Sequence, residues 1–332
     1  MRILDMHCDT ISVLLEKKRG GNDVSLRCNQ GHIDLMRLKS SGYLLQNFAL
    51  FVDCGSGRDP WEEVCALHEL YEAEMAANRD VIAPVRVYND IAINEAEGKL
   101  SALLTVEEGA VCKGDIVKLR KLYDMGVRMM TLTWNYPNEI GYPNLNSARS
   151  EEDDFLYVCD SVNGLTEKGR EMVALMEELG MIVDVSHLSD AGFYDVLECS
   201  SKPFVASHSN ARSVCRCVRN LTDDMLRKLA ERGGCTGLNF CPSFLTEVPV
   251  GAANPGTVAG VVEHAKHIVS VGGIELLGLG SDFDGIDGHA ELQGAQSMEL
   301  LWDALHKAGF TQGQLDKIFY ENALRVYRDV LK

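Results

Sequence analysis

The 332-residue sequence lacks any long hydrophobic run, since nowhere do about 18 consecutive apolar residues occur. The amino terminus, MRILDMHCDT, has no basic region followed by an apolar stretch, which a secretory or transit signal would need. The carboxyl terminus, RVYRDVLK, is charged and offers no hydrophobic anchor tail. These absences predict a protein without a membrane span, and we expect a cytoplasmic location.

Basic residues are scarce relative to acidic ones. Lys and Arg number 32 against 49 Asp and Glu, which gives a formal net charge of -17 and a pI near 4.9. Because a phosphate surface would be repelled over most of such a protein, we expect neither nucleic acid nor an anionic membrane as a partner. A small-molecule substrate is the better expectation.

The 11 cysteines are odd in number, and no two of them form a CxxC pair. A disulfide framework or a structural zinc knuckle is therefore not expected. Cys215 and Cys217 lie two residues apart in a predicted loop. We interpret them as free thiols, because a thiolate metal site needs more ligands than this pair supplies.

Short β-rich apolar runs alternate with longer amphipathic segments, which is typical of βα units that close a parallel sheet. The predicted strands are 3–6, 45–52, 102–106, 128–133, 182–185, 204–206, 235–239 and 276–280, and the predicted helices are 61–77, 116–125, 166–179, 223–232, 261–271 and 298–308. No repeat, low-complexity segment or Pro-rich linker divides the chain. We predict one domain, residues 1–332, with long βα loops at 134–161 and 284–297.

Several predicted strands end in a possible metal ligand. His7 and Asp9 close the first strand, and residues two apart in an extended chain point to the same side. His187 ends the strand MIVDVSH, and His208 ends the next one. Each residue alone is more often structural than a ligand. In a barrel, however, all carboxyl ends of the strands meet at one mouth, where the active site lies, so their coincidence favours a metal site.

Two further strand ends carry paired acids. Glu107 and Glu108 close LLTVEEG, and the strand phase does not decide which of the two faces the interior. Asp282 and Asp284 follow the last predicted strand in LGLGSDFDG. These aspartates could extend metal binding or carry a proton, although a Gly-flanked turn explains them equally simply. We favour function for Asp282, which is nearer the strand end.

The chain also carries a set of motifs in a fixed order: DMHCDT, TVEEGA, MTLTWN, NGLTEKG, DVSHLS, ASHSNAR, RNLTDD, GLGSDFDG and ENALRV. Over nearly its whole length the sequence resembles the membrane dipeptidase (renal dipeptidase) family of zinc peptidases, in a bacterial-type soluble form. The resemblance implies an α/β fold, a TIM-like (β/α)8 barrel of the metallo-dependent hydrolase type. It further implies a dipeptidase that hydrolyses free dipeptides by a hydroxide bridging two zinc ions, and a possible homodimer.

The resemblance assigns ligands to two Zn²⁺ ions per chain. His7 and Asp9 would hold one ion, His187 and His208 the other, and Glu107 would bridge both ions and share in catalysis. This assignment prefers Glu107 over its neighbour, a choice that the residues alone leave open.

The resemblance also assigns substrate contacts. Arg219 would receive the terminal carboxylate of the dipeptide, and Asp282 would meet its amino group. Our own mechanistic hypothesis is that Asp282 also acts as a catalytic acid and base. Trp134 stands next to the substrate where mammalian members have a His, and a Trp cannot exchange protons. Met6 and Cys8 replace the usual Gly and Asn.

Two alternatives to a dipeptidase remain open from the sequence. The nearer one is a related amidohydrolase that acts on N-acyl amino acids or lactams, because barrel and metals permit many reactions when the loops change. The other is a non-catalytic protein that keeps the barrel as a scaffold.

Overall fold

The computed structural model describes residues 1–152, 154–248 and 252–332 of the chain. Within these ranges nine strands form one sheet, and every pairing between them is parallel. The strands are β1 Ile3–Asp5, β2 Tyr43–Phe51, β3 Ile82–Val85, β4 Leu100–Glu107, β5 Met129–Thr131, β6 Ile182–Asp184, β7 Val205–Ala206, β8 Cys235–Leu238 and β9 Leu277–Leu279.

Eight of these strands close a barrel. Its order is β2-β1-β9-β8-β7-β6-β5-β4, and β4 pairs back onto β2 from Leu45↔Ser101 to Phe51↔Glu107. The prediction of a single (β/α)8 barrel is confirmed, and each of the eight predicted strands overlaps one barrel strand. The architecture therefore brings all eight carboxyl ends to one mouth.

The ninth strand, β3, was not predicted. Because β2 occupies one edge of β4, β3 and β5 share the other edge, β3 beside residues 100–103 and β5 beside residues 105–107. Pro84 lies within β3, and a proline weakens the strand signal of so short a run. This strand lies outside the barrel's closed cycle.

The helices surround the barrel. They are α1 Thr10–Arg19, α2 Leu35–Ser40, α3 Pro60–Ala77, α4 Asn89–Ala96, α5 Ile116–Asp124, α6 Glu167–Leu179, α7 Asp190–Cys199, α8 Asp223–Glu231, α9 Pro242–Leu245, α10 Val258–Gly272, α11 Met298–Lys307, α12 Gln312–Asp316 and α13 Asn322–Val330. The six predicted helices are confirmed within a few residues as α3, α5, α6, α8, α10 and α11. None of the helices in the described ranges combines the length and the hydropathy that crossing a bilayer requires.

Local sequence signals explain where α6 begins and ends. The Thr166 hydroxyl accepts a hydrogen bond from the backbone N–H of Gly169, which satisfies one free donor of the first turn. Gly180 ends the helix with φ +80°, a left-handed conformation that a glycine adopts without strain. These bounds agree with the predicted helix 166–179 to within one residue. Strand β6 follows immediately and positions His187.

The amino-terminal end of the barrel is filled by α13. Val326, Tyr327 and Val330 of this helix pack in one buried cluster with side chains from the strands, among them Leu4 and Leu103. The Tyr327 hydroxyl donates a hydrogen bond of 2.9 Å to the Asn47 side-chain oxygen inside the barrel. The cluster closes one end, so the opposite end is left for the site.

The buried hydrogen bond of Tyr327 should contribute to stability. Tyr327→Phe leaves the Asn47 oxygen without its partner, and we expect a loss of about 1–3 kcal/mol in the free energy of unfolding, measured by urea titration. Tyr71→Phe is the matched control, because Tyr71 is equally buried and its hydroxyl has no partner. Equal losses in the two variants would contradict this account of the barrel end.

Candidate metal centre

Six side chains converge at the carboxyl-end mouth of the barrel. They come from the ends of five strands: His7 and Asp9 after β1, Glu107 at the end of β4, His187 after β6, His208 after β7 and Asp282 after β9. None of the six residues is more than 9% exposed. The barrel therefore brings together, in a water-poor setting, the residues that the sequence singled out.

The Glu107 carboxylate lies among three imidazoles. Its Oε1 is 3.0 Å from Nε2 of His187 and 3.4 Å from Nε2 of His208. Its Oε2 is 3.3 Å from Nε2 of His7. Each carboxylate oxygen thus faces a different set of nitrogen donors.

His187 presents a bare nitrogen to this carboxylate. The Nδ1 atom of His187 lies 2.9 Å from the side-chain oxygen of Asn135, which only accepts, so Nδ1 carries the proton. The two Nε2 atoms are 3.0 Å apart. If Nε2 of His208 is bare as well, two lone pairs and a carboxylate oxygen converge with no proton between them, an arrangement that a cation would stabilise.

The surroundings of His7 also favour a bound cation. Neither of its ring nitrogens has a hydrogen-bond partner, although both are buried. Its Nε2 lies 3.3 Å from Oδ2 of Asp9 and 3.9 Å from Oδ1 of Asp282, and Oδ1 of Asp9 also lacks a partner. Buried polar atoms of a native protein rarely go unpaired, so their clustering here indicates a ligand.

The donors fit a metal centre. Two groups have ligand atoms within 4.8 Å of one another, His7 with Glu107 and His208, and His7 with Asp9 and Asp282. Imidazole nitrogens and carboxylate oxygens are the ligands that zinc and related divalent ions take in hydrolases. The two groups share His7 and differ in their carboxylates.

Burial sets the protonation of two imidazoles. It lowers the pKa of His187 and of His208 well below the ordinary value, and the charge of Arg219 lowers both further. These two rings are therefore neutral at neutral pH, which is the form that binds a metal ion.

The pKa values of Glu107 and His7 are raised. Burial raises the pKa of Glu107 to about 7. For His7, burial acts to lower the pKa, but the carboxylates of Glu107 and Asp9 outweigh it and raise the pKa well above its ordinary value. Without a bound cation, protons on these two groups would supply the positive charge at this position.

The backbone is strained at the strand ends. Among the described residues, four of the five non-glycine residues with positive φ follow β4, β6 or β9: Glu108 at 100°, His187 at 69°, Asp282 at 63° and Asp284 at 68°. Such conformations cost about 1–3 kcal/mol each and persist where the surrounding structure enforces them. These backbone conformations direct the side chains of His187 and Asp282 towards the barrel mouth.

Glu108 serves a different purpose from Glu107. Its Oε1 accepts hydrogen bonds from the backbone N–H of Ala110 and from the Asn138 amide, and its Oε2 accepts one from the backbone N–H of Trp134. The side chain therefore holds the loop that follows β5. Burial raises the pKa of Glu108 to about 7.

A cavity of about 640 Å³ opens above the six side chains, and its wall includes Asp9, Glu107, His187 and Asp282. Trp134 also lines it, with its ring centroid 6.3 Å from that of His187. Phe51 meets the indole edge-on at 4.9 Å. The cavity is large enough for a small ligand with two polar ends.

Asp282 and Asp284 face different partners. Asp282 lines the cavity, and its Oδ2 accepts a hydrogen bond of 2.9 Å from the Asn239 amide. Both oxygens of Asp284 accept hydrogen bonds, from the Thr10 hydroxyl and from the backbone N–H of His32. The Asp284 carboxylate thus links two other segments of the chain, whereas Oδ1 of Asp282 faces the site.

Arg219 lies beside this cavity rather than on its wall. The guanidinium is 3% exposed, donates to the Ser209 hydroxyl and the His208 carbonyl, and leaves Nε without a partner. It lines a small cavity of about 10 Å³, which shares His187 with the main one. Within the described ranges no carboxylate forms an ion pair with Arg219, which is costly for a buried charge.

Sequence reasoning missed the polar residues that hold these side chains. Asn135 orients His187, and Asn239 orients Asp282. The Ser207 hydroxyl oxygen lies 2.8 Å from Nδ1 of His208. Asn135 and Ser207 are neighbours of predicted site residues and Asn239 ends a predicted strand, but no spacing shows which side chain each will meet across the barrel.

Comparisons with known proteins agree with this geometry. The sequence profile of the membrane dipeptidase family (peptidase family M19) matches residues 1–332. The dipeptidase tcpJ of Claviceps purpurea is 30% identical over 319 residues, which cover 90% of this chain and 69% of that protein.

Two solved structures have the same fold over nearly the whole chain. A metallopeptidase described as a dipeptidase of family M19 is 27% identical with a TM-score of 0.88, covering 100% of this chain and 99% of that one. A metallopeptidase from Rhodobacter sphaeroides, liganded with a phosphinate mimic of the dipeptide L-Ala-D-Ala, is 26% identical with a TM-score of 0.87 and 99% coverage of both chains. The chain therefore belongs to the membrane dipeptidase family, peptidase family M19, and is a metallo-dipeptidase of that family.

Proposed function

We propose that this metallo-dipeptidase uses two Zn²⁺ ions, with Glu107 as the ligand common to both. The observation that carries the proposal is the placement of the Glu107 carboxylate, whose Oε1 faces His187 and His208 while its Oε2 faces His7. A carboxylate between two sets of nitrogen donors is suited to bridging two cations. His7 and Asp9 would complete one position, and His187 and His208 the other.

The substrate is a free dipeptide, bound by charges at its two ends. Arg219 would receive the terminal carboxylate, because its buried guanidinium has an unpaired Nε and no acidic partner among the described residues. Asp282 would meet the amino group at the cavity wall. The related Rhodobacter sphaeroides enzyme holds a mimic of a dipeptide, which supports a substrate of this length.

When bound, the two cations would supply Lewis acidity, lowering the pKa of water and polarising the scissile carbonyl. The residues of the chain provide the rest. Asp282, held by Asn239 with Oδ1 towards the site, would take a proton and pass it to the leaving amine. Trp134 forms an apolar wall that excludes water and has a single ring N–H donor. The cytoplasmic location and the homodimer stay predictions.

The adjacent glutamates give a direct test of the bridging ligand. Elemental analysis of the purified protein should find two zinc ions per chain. Glu107→Gln should lose bound zinc, because it removes the negative charge shared by the two positions. Glu108→Gln should retain two ions and lose about 1–3 kcal/mol of stability, since its amide cannot accept all three hydrogen bonds. Two zinc ions in both variants would contradict the bridging role.

Arg219→Met tests recognition of the carboxylate. Loss of one partner of a buried charge pair costs about 2–5 kcal/mol, and we expect kcat/KM for dipeptides to fall roughly 30-fold or more. Dipeptide amides, which have no terminal carboxylate, should lose much less. Zinc content and the melting temperature serve as controls for folding. Equal losses on the two substrate classes would rule out this role of Arg219.

Gly285 tests how closely the carboxylates are packed. A Cβ atom at this position would lie 2.0 Å from Oδ2 of Asp9 and 2.6 Å from Oδ1 of Asp282, so Gly285→Ala must displace both. A shift of about 1 Å in such groups can cost roughly 10²-fold in rate, and we expect a loss of that order in kcat. Gly313→Ala is the control, because a Cβ there meets nothing within 4 Å. An active Gly285→Ala enzyme would show that these two carboxylates are not held in place for the reaction.

A further inference from the structure

Behind His208 lies a buried carboxylate that the proposed mechanism does not use. Asp184, the last residue of β6, is fully buried. Its Oδ1 accepts hydrogen bonds from the backbone N–H groups of Ser186 and Ser207, at 3.0 and 2.8 Å. Its Oδ2 accepts from the hydroxyls of Ser207 and Thr131, both at 2.6 Å. Four donors fill the four acceptor positions of an ionised carboxylate.

These bonds fix the direction of the Ser207 hydroxyl. Its single hydrogen points to Asp184, because that carboxylate only accepts. The Ser207 oxygen therefore has only lone pairs to offer to Nδ1 of His208, which is 2.8 Å away. The ring must place its proton on Nδ1, and its Nε2 is then bare on the side of Glu107.

We propose that Ser207, oriented by Asp184, is a positioning residue that locks His208 in the tautomer able to bind a metal ion through Nε2. The inference rests on the proposed metal centre and adds to it a relay from carboxylate to hydroxyl to imidazole. Hydrogen bonds of this kind fix the tautomer and the ring orientation of histidine ligands and raise their basicity.

The packing around Ser207 keeps the relay in place. A Cβ atom on Gly237 would lie 2.0 Å from the Ser207 carbonyl oxygen, and one on Gly280 only 1.8 Å from it. The backbone of β8 at Gly237 and the backbone after β9 at Gly280 can therefore approach the Ser207 carbonyl closely only because these residues are glycines. Ser207 itself has no exposed surface, so water does not compete for its hydroxyl.

A similar pair on the other side of the barrel lacks this function. The Ser281 hydroxyl donates to Oδ2 of Asp5 at 2.6 Å, as Ser207 does to Asp184. Its oxygen, however, contacts the backbone of His7 and of Phe283 and no imidazole nitrogen. The contact with Nδ1 is therefore specific to the Ser207 pair and is not a general consequence of a buried serine and aspartate.

Thr131 provides a matched control for the experiment. Ser207→Ala and Thr131→Val each remove one hydroxyl from the same oxygen of Asp184, but only the first removes the contact with His208. The zinc dissociation constant of each protein is measured by competition with a chromophoric chelator. We expect Ser207→Ala to weaken zinc binding roughly 10- to 100-fold and Thr131→Val to leave it within about threefold of the wild type. The cobalt-substituted proteins should show a changed visible spectrum for Ser207→Ala alone.

Wild-type affinity in Ser207→Ala, or equal losses in both variants, would overturn the relay while leaving the metal centre intact. A wild-type protein without tight zinc would instead overturn the proposed function. A second measurement uses the metal-free wild type: imidazole ¹⁵N spectra, assigned by the signals lost in a folded His208→Asn variant, should show the His208 proton on Nδ1 only. A proton on Nε2 would refute the inference.

Discussion

The structure depends on the burial of one carboxylate among imidazole nitrogens. Glu107 is 3% exposed, and a buried carboxylate is unfavourable unless positive charge or hydrogen-bond donors meet it. His187 and His208 offer it lone pairs instead, because their protons lie on the far side of the rings. A cation shared by the carboxylate and the nitrogens resolves this conflict. The folded barrel thus places a carboxylate beside two nitrogen lone pairs, an arrangement that a metal ion stabilises and that is expected of a preorganised centre.

The need to hold these buried side chains close together also accounts for the backbone strain around the site. His187 and Asp282 have positive φ, and such residues persist only where neighbouring contacts hold them. Here those contacts are side-chain hydrogen bonds between adjacent strand ends: Nδ1 of His187 donates to the Asn135 oxygen, and the Asn239 amide donates to Asp282. The parallel barrel supplies the stability, since its strands and α13 bury the core at the closed end. The mouth can then carry conformations that would be unfavourable elsewhere.

The sequence predicts the barrel and the location of the site because both follow from periodicity and strand ends. It does not predict β3, whose four residues contain a proline, or α13, although that helix has the apolar spacing of a buried face. The choice between Glu107 and Glu108 depends on where β4 ends: the strand runs through Glu107, and Glu108 turns away at φ 100°. Polar contacts such as that of Ser207 join residues across strands, so no local pattern contains them. The assignment of Arg219 comes from resemblance alone.

Position 134 carries a tryptophan and not a histidine, so another group has to transfer protons at this cavity. The indole has one N–H and no basic nitrogen, so it can donate a hydrogen bond but cannot carry a proton. Glu16 also lines the cavity, but hydrogen bonds from two arginines lower its pKa to about 2, and it stays ionised. Asp284 has both oxygens occupied by a threonine hydroxyl and a backbone N–H. Asp282 keeps Oδ1 towards the site, 3.9 Å from Nε2 of His7, while Asn239 holds its other oxygen. In the proposed mechanism a proton passed from water to the leaving amine would travel through Asp282, so the carboxyl proposed to bind the substrate's ammonium would also serve the reaction.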